Sequence, residues 1–241
     1  MKTTPSEPQT SGSTGRKKLL YRSFLFILAI LVALDALLFL SAGTTEWPAA
    51  WIFTVLYGGF LVFFVLYTAY FDPQLLEERG KTATNVKSWD KTISFIYTLL
   101  LLGMLILCGL DYGRFGWSSV PLWVQIAGFA GILAGGVLIA WVIKENTYLS
   151  RYARIQDDRG QTVISSGPYR YVRHPMYAGS LFWFPCIPLF LGTWVGLVPG
   201  LAISILYVVR TCLEDRMLME ELPGYSTYAE KTKFRLIPGV W

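Results

Sequence analysis

The sequence has 241 residues, of which 54% are hydrophobic and only 15% are charged, and its mean hydropathy is +0.45. These values lie outside the range of soluble globular domains and predict a polytopic integral membrane protein. Three cysteines without CxxC spacing and a single histidine argue against a disulfide framework, a zinc site or a histidine-rich metal centre, so no metal is expected.

The chain begins with a polar segment that is followed by a basic cluster. Residues 1–15 are rich in Ser, Thr, Pro and Gly, and three basic residues follow at 16–18. We expect residues 1–18 to form a disordered basic arm and residues 19–241 to form a single membrane domain. The first apolar run, 24–42, is long and starts too far from the first residue for a signal peptide, so it predicts a membrane span.

Asp35 lies in the middle of this first apolar run, where an ionisable group costs about 3 kcal/mol on insertion scales. Two interpretations follow from this position. The functional one places Asp35 in a polar pocket, and it is the best feature for a transporter or channel. The structural one, which we favour, gives Asp35 a buried hydrogen bond to a neighbouring helix.

Five further apolar runs follow the first, at residues 49–71, 93–110, 122–142, 177–191 and 194–212. They predict an all-α fold class with about six transmembrane helices. The fifth run has about 15 residues and reaches only about 22 Å, which is less than the hydrocarbon core of about 30 Å. The last two runs therefore predict a short helical hairpin that turns near Gly192, and two prolines, Pro185 and Pro188, predict a kink in its first arm.

The distribution of Lys and Arg predicts the orientation in the membrane. The net charge is +5 and the pI about 9.1, and of 21 basic residues all but Arg114 lie in the segments on one side of six predicted spans. Both termini are then expected in the cytoplasm, in a multi-pass protein of the cytoplasmic or inner membrane. Attraction to anionic lipids of the bilayer accounts for the basic residues, so no nucleic-acid partner is expected.

The stretch from Ser165 to Gly179 separates two long apolar runs and contains the one histidine of the chain. Pro175 is typical of a first helical residue, which makes His174 the predicted N-cap. A helix N-terminus beside Arg173 favours an anionic ligand, and tyrosines nearby provide aromatic faces. The alternative is that this stretch is only a basic and aromatic anchor at the membrane surface.

A second polar stretch begins at the end of the last apolar run. Arg210 and Glu214 are four residues apart, so they lie on one helix face. One interpretation is an exposed ion pair worth a few tenths of a kcal/mol. The other places Arg210 in a polar cavity, because it lies at the end of an apolar span.

Together, these stretches resemble the isoprenylcysteine carboxyl methyltransferase family, especially its prokaryotic branch, which is related to the phospholipid N-methyltransferases. The similarity covers about residues 70–238. It is carried by Gly167-Pro168-Tyr169, by Arg173-His174-Pro175-Met176-Tyr177-Ala178-Gly179, by Arg210 with Glu214-Asp215 before Tyr225 and Tyr228, and by the loop with Asp72-Pro73-Gln74-Leu75-Leu76-Glu77-Glu78-Arg79 and Trp89-Asp90-Lys91.

The resemblance implies a membrane methyltransferase that uses S-adenosyl-L-methionine without a Rossmann domain. It implies a cofactor site formed from about residues 144–180 and 207–238, with Arg210 engaging the substrate and Glu214 acting with it as the second catalytic residue. The cofactor-binding residues implied in this sequence are Gln156, Gln161, Thr162, Val163, Ile164, Tyr169, His174, Pro175, Met176, Tyr177 and Glu214. Gln161 stands where many relatives have His, and Asp215 replaces a second Glu.

The acceptor implied by the resemblance is a lipid or a prenylated molecule that enters from the bilayer. Carboxyl O-methylation of an isoprenylcysteine-like substrate is favoured, because a carboxylate is already a nucleophile at pH 7 and needs only positioning by an arginine. An amine acceptor, as in phospholipid N-methylation, needs a base. Two alternatives stay open at this point: an NADPH-dependent membrane reductase of the sterol reductase type, and a small transporter.

Overall fold

The computed structural model describes residues 11–80 and 86–241, and the side chains from residue 17 onward. Within these ranges the chain forms helices and no strand, which confirms the predicted all-α class. The α-helices are α1 (Ser11–Ala42), α2 (Pro48–Phe71), α3 (Pro73–Gly80), α4 (Ser88–Leu110), α5 (Leu122–Glu145), α6 (Pro175–Leu191), α7 (Leu197–Glu221) and α8 (Tyr225–Lys231). A π-helical turn, Asp111–Phe115, extends α4, and two short 3-10 turns, Asp157–Arg159 and Gly167–Arg170, lie between α5 and α6.

Five helices of the described chain are long and apolar enough to cross a membrane: α1 from Lys17, α2, α4 with its π-helical turn, α5 and α7. The remaining predicted span, the fifth in chain order, is α6, which has 17 residues and is about 26 Å long at 1.5 Å per residue. Large apolar side chains such as Val55, Trp123 and Val137 are more than two-thirds exposed on the outside of the bundle. Such a surface fits a lipid environment and supports a multi-pass integral membrane protein.

The helices differ from the predicted runs at several ends. Residues 11–18, expected in a disordered arm, form the first turns of α1, whereas residues 1–10 lie outside the described part of the chain. Basic residues are good helix formers, so the apolar helix continues through them toward the N-terminus. α7 continues to Glu221, nine residues past the expected end at 212, because its polar residues extend the same helix beyond the apolar stretch.

The short helix α3 is absent from the sequence-based prediction. It begins at Pro73, where the missing N–H of proline costs nothing, and the Asp72 carboxylate accepts a hydrogen bond from the Leu75 amide at 3.1 Å. Its apolar residues Leu75 and Leu76 are buried against the bundle. α3 therefore covers part of the end of the bundle at which α2 ends and α4 begins.

Asp35 has the partner that the structural interpretation required. The Thr54 hydroxyl on α2 donates a hydrogen bond to the Asp35 carboxylate at 2.5 Å. This contact confirms the favoured interpretation, a hydrogen bond between two membrane helices, over a polar pocket.

The hairpin of α6 and α7 is confirmed, with Gly192 ending α6 at a φ of 85°. Pro185 lacks the N–H that would bond to the Leu181 carbonyl one turn earlier. The Ser204 hydroxyl of α7 donates to that carbonyl at 3.0 Å. The Leu181 carbonyl, which Pro185 leaves without its helical donor, thus accepts a hydrogen bond from α7 instead.

α5 packs closely along α6 because glycine replaces larger residues at their contact. A Cβ atom built on Gly128 would lie 2.7 Å from the Phe190 amide nitrogen and 2.9 Å from the Cys186 carbonyl oxygen, and one on Gly135 would lie 3.1 Å from the Gly179 oxygen. The close approach fixes where α6 starts relative to the end of α5.

We expect Gly128→Ala to destabilise the protein by about 1–3 kcal/mol, because the added methyl group would overlap the backbone of α6. Thermal unfolding in detergent should show a lower Tm. Gly59→Ala in α2 is the matched control, because a Cβ there meets no atom within 4 Å. Equal shifts of Tm in the two variants would contradict the close packing of α5 on α6.

Candidate functional site

A cavity opens at the end of the bundle where α5 ends, α6 begins and α7 ends. It encloses about 810 Å³ of empty space, counting its open mouth. Eleven of the twelve site residues implied by the sequence line it. They are Gln161, Thr162, Val163, Ile164, Tyr169, His174, Pro175, Met176, Tyr177, Arg210 and Glu214.

Gln156 is the one implied site residue that does not line this cavity. It is 1% exposed, and its side-chain amide donates to the Tyr148 carbonyl at 2.5 Å and accepts from Arg159 at 2.8 Å. The Gln156 backbone amide donates to the Gln161 side chain at 2.8 Å. Gln156 therefore holds the loop and orients Gln161, which does line the cavity.

The start of α6 matches the prediction from the sequence. His174 is the N-cap and Pro175 follows within the first turn. The amides of Arg173 and His174 donate to the carbonyls of Phe234 and Arg235, both at 2.9 Å, so the C-terminal segment fixes the chain just before the helix. The N-terminus of a 17-residue helix is thereby held at the wall of the cavity.

Asp215 is the centre of a buried hydrogen-bond network beneath this helix start. Arg173 donates to both of its carboxylate oxygens at 2.8 Å, and Arg235 and the Tyr225 hydroxyl each donate at 2.8 Å. The His174 Nε2 atom lies 3.2 Å from Asp215 Oδ1. The carboxylate is 3% exposed and joins α6, α7, α8 and the C-terminal segment.

The sequence suggested that the Arg173 charge would attract an anionic ligand, but in the structure this charge pairs with Asp215. The remaining guanidinium nitrogen of Arg173 donates to the carbonyls of Thr232 and Lys233 at 3.0 and 3.1 Å. Burial opposes the charged form, but the hydrogen bonds from Arg173 to Asp215 raise the pKa of the Arg173 guanidinium above its ordinary value. Arg173 also lines the cavity, but each of its three guanidinium nitrogens donates to the protein, so it is primarily a structural cation.

Burial, together with the nearby Asp215 carboxylate, also raises the pKa of the Tyr225 hydroxyl. The Tyr228 hydroxyl donates to the Tyr169 carbonyl at 2.7 Å, and burial raises its pKa to about 12. Both tyrosines therefore stay protonated at neutral pH and serve as hydrogen-bond donors.

Glu214, one residue before Asp215, faces the cavity and accepts a hydrogen bond from the Tyr177 hydroxyl. The Tyr177 ring is stacked against the His174 ring with an interplanar angle of 1° and centroids 5.8 Å apart. Neighbouring residues on α7 thus have different roles, because Asp215 is saturated with protein partners while Glu214 borders open space.

Arg210 does not pair with Glu214 in this structure, so the interpretation as an exposed ion pair is wrong. Its Nε atom lies 2.9 Å from Oδ1 of Asp90, which is fully buried at the start of α4. The Arg210 guanidinium also donates to the Arg151 carbonyl at 3.2 Å and lies 5.4 Å from the centroid of the Tyr177 ring. Arg210 therefore lies in the cavity, as the second interpretation stated.

Asp90 and Asn146 are site residues that sequence reasoning did not assign. Asp90 accepts a hydrogen bond from the Ala153 amide at 2.7 Å and so connects α4 with the loop after α5. Asn146 donates to the Tyr169 hydroxyl at 2.6 Å. Asp90 follows a Trp in the first turn of the apolar helix α4. An acidic residue at this position was the signal in the sequence that could have indicated a site residue.

Arg154, which lines the cavity, forms an ion pair with Glu78 of α3, and both side chains are buried. This pair attaches α3 to the loop between α5 and α6. Among residues 17–80 and 86–241, no three His, Cys, Asp or Glu side chains are grouped so that they could hold a metal ion.

The fold and the cavity define a class, a helical multi-pass membrane protein with a polar cavity at one end of its bundle. Residues 123–223 match the family model described as phospholipid methyltransferase. The structure resembles that of the eukaryotic intramembrane Ras methyltransferase ICMT, isoprenylcysteine carboxyl methyltransferase, with a TM-score of 0.54 and 15% sequence identity over 90% of this chain and 84% of that one. These matches confirm the family resemblance that the sequence predicted.

A curated relative is the cobalt-zinc-cadmium resistance protein CzcN of Cupriavidus metallidurans. It is 27% identical over 158 residues, which are 63% of this chain and 62% of that protein. The chain thus aligns with less than two thirds of that relative. The structural match shows a shared membrane fold, and the family model matches the part of the chain from α5 to the end of α7.

We expect Asp215→Asn to destabilise the protein by about 3–5 kcal/mol, because it leaves the buried Arg173 charge without its counter-ion. The measurement is the Tm in detergent. Glu220→Gln on the same helix is the control, because Glu220 pairs with Arg216 at the surface and such pairs contribute about 0–1 kcal/mol. A Tm of Asp215→Asn equal to that of the control would show that the network is not structural.

Proposed function

We propose that this protein is an S-adenosylmethionine-dependent membrane methyltransferase acting on a lipid or lipid-modified acceptor. The observation that carries the proposal is the convergence of three separate stretches on one cavity: residues 161–169, the start of α6, and the Arg210 to Glu214 turn of α7. The match of residues 123–223 to phospholipid methyltransferases supports it independently.

The residues present fit the chemistry of this cofactor. An amino acid carboxylate fits the N-terminus of α6, where the first-turn amides lack helical acceptors. An adenine ring fits the aromatic and apolar wall formed by Val163, Ile164 and Tyr169. A sulfonium cation fits the Glu214 carboxylate and the face of Tyr177. When bound, S-adenosylmethionine supplies an activated methyl group that is transferred by direct displacement at carbon.

The protein has to orient the acceptor and exclude water, and no covalent enzyme intermediate is needed. Arg210 lies one helical turn before Glu214, toward the apolar part of α7. Asp90 holds the Arg210 guanidinium in place, so Arg210 orients an acceptor at little cost in side-chain entropy. A carboxylate acceptor attacks through an oxygen lone pair without losing a proton, which favours carboxyl O-methylation of an isoprenylcysteine-like molecule.

Phospholipid amine N-methylation is the second candidate, and one observation favours it. Asp90 already engages the guanidinium of Arg210, and Glu214 adds a second carboxylate to the same region. With the Arg210 charge balanced by Asp90, the Glu214 carboxylate at the cavity wall suits an ammonium acceptor and is placed to accept the proton that an amine must lose.

The distribution of charge also supports an orientation. Within the described ranges, Arg114 is at the end of the bundle opposite the cavity, where it donates to the carbonyls of Leu40 and Ser41 at the end of α1. The other Lys and Arg side chains of these ranges are at the cavity end or on α1 before its apolar part. We infer that the cavity and both termini face the cytoplasm.

The reaction is tested by transfer of labelled methyl groups to two acceptors, a prenylated cysteine and phosphatidylethanolamine. We expect Arg210→Lys to lower transfer at least tenfold while S-adenosylmethionine affinity changes less than threefold, because lysine cannot keep the forked contact with Asp90. Glu214→Gln should weaken cofactor binding first. Loss of cofactor binding in a folded Arg210→Lys variant, or an unchanged transfer rate, would contradict these roles.

Orientation is tested with single cysteines at positions 114 and 170 in a variant without the native cysteines. An impermeant thiol reagent added to intact cells should label position 114, and position 170 should react only after the membrane is opened. Labelling of both positions from the same side would contradict the proposed topology.

A further inference from the structure

Arg79, on the short helix α3, has an unusual environment for a guanidinium. Its Nε atom is buried without a hydrogen-bond partner among the described residues, as are those of Arg154 and Arg210, while the residue as a whole is partly exposed. The guanidinium carbon lies 5.1 Å from the centroid of the Phe64 ring. No carboxylate of the described chain forms an ion pair with it.

Three other arginines at this end of the bundle, all with largely buried side chains, each pair with a carboxylate. Arg154 pairs with Glu78, Arg173 with Asp215 and Arg210 with Asp90. Within the described ranges Arg79 lacks such a partner although it lies in the same region. The folded chain therefore leaves one cation at the edge of the proposed active site without compensation.

Arg79 lies beside that site, because it interacts electrostatically with Tyr177 and Arg210, which line the cavity. It is also within electrostatic reach of Tyr207. Burial, and then the like charge of Arg151, lower the pKa of Arg79 from 12.5 to about 10. The side chain is thus still charged at neutral pH, and it is held there at a cost that an anion would relieve.

An apolar groove lies one helical turn along α2 from the Phe64 ring that this cation contacts. It holds about 710 Å³ of empty space, counting its open side, and it runs between α2, α5 and α6. Phe60 lines it and lies one helical turn before Phe64, the residue beneath the Arg79 guanidinium. The groove is also lined by Phe53, Tyr57, Phe63, Ile132 and Trp183. A cation next to an apolar groove fits the two parts of an anionic amphiphile.

We propose that Arg79 binds the oxyanion group of the acceptor, with the apolar tail of the acceptor in the neighbouring groove. This inference rests on the proposed function, because it specifies which acceptors that site accepts. A lipid-borne carboxylate and the phosphate of a phospholipid share the required chemistry, since both offer paired oxygens to a guanidinium. Arg210, which Asp90 already neutralises, then orients the acceptor without being its main counter-charge.

The test measures binding by tryptophan fluorescence of the full chain in detergent, without turnover. Three probes are titrated: N-acetyl-S-farnesylcysteine, its uncharged methyl ester, and a short-chain phosphatidylethanolamine. Arg79→Gln should weaken binding of an anionic probe at least tenfold and leave the methyl ester within twofold. Arg79→Lys should recover part of the loss, because the charge remains while the fork does not. The probe that loses affinity identifies carboxylate or phosphate as the recognised group.

Two variants separate this role from a structural one. Arg22→Gln removes an exposed cation near the same membrane surface and should leave all three affinities unchanged. Arg154→Gln breaks the pair with Glu78 and should lower the Tm, whereas Arg79→Gln should leave the Tm of the ligand-free protein unchanged or raise it. Equal affinities for wild type and Arg79→Gln with every probe, or a Tm for Arg79→Gln as low as that of Arg154→Gln, would overturn the proposal.

The failure of this inference differs from the failure of the proposed function. If S-adenosylmethionine does not bind the wild-type protein but the anionic probes require Arg79, the methyl transfer is wrong and the anion site stands. If the cofactor binds and the affinities of the probes do not change in Arg79→Gln, the proposed methyl transfer stands and the acceptor binds elsewhere.

Discussion

The buried carboxylate of Asp215 is the contact on which the cavity depends. It accepts hydrogen bonds from Arg173, Arg235 and Tyr225 and lies 3.2 Å from His174. These residues come from the start of α6, the start of α8 and the C-terminal segment, so a single side chain of α7 fixes three separate parts of the chain. A buried carboxylate with this many partners is costly to disturb, because each removed partner leaves a charge without compensation.

The bilayer imposes the second constraint, since polar groups have to be gathered where the helices leave the apolar layer. Within the spans polar contacts are few and paired, as with Thr54 and Asp35, and Ser204 and the Leu181 carbonyl. At the end of the bundle the chain concentrates Glu214 with Arg210, one helical turn apart on α7. A cavity that borders both polar loops and apolar helices can bind a water-soluble cofactor beside a lipid-borne acceptor.

Local signals in the sequence were sufficient for the membrane-spanning helices, whereas the short helix α3 was missed and the cavity residues were identified through the family resemblance. Pro175 after His174 determined the start of α6 through fixed dihedral angles and a missing N–H, which are properties of adjacent residues. The contact of Arg210 with Asp90 joins residues 120 positions apart and has no such local signal. Arg173 had the right charge and position for a ligand, but its saturation by Asp215 is a consequence of tertiary packing.

The measurement that tests the central claim most directly is calorimetric titration of the purified protein with S-adenosylmethionine, in parallel with NADPH. The account predicts saturable binding of one S-adenosylmethionine per chain, no binding of NADPH, and affinity lowered by about 1–3 kcal/mol in His174→Ala, because the cavity wall at the start of α6 loses a polar partner. Binding of NADPH, or the absence of S-adenosylmethionine binding by a folded protein, would contradict it.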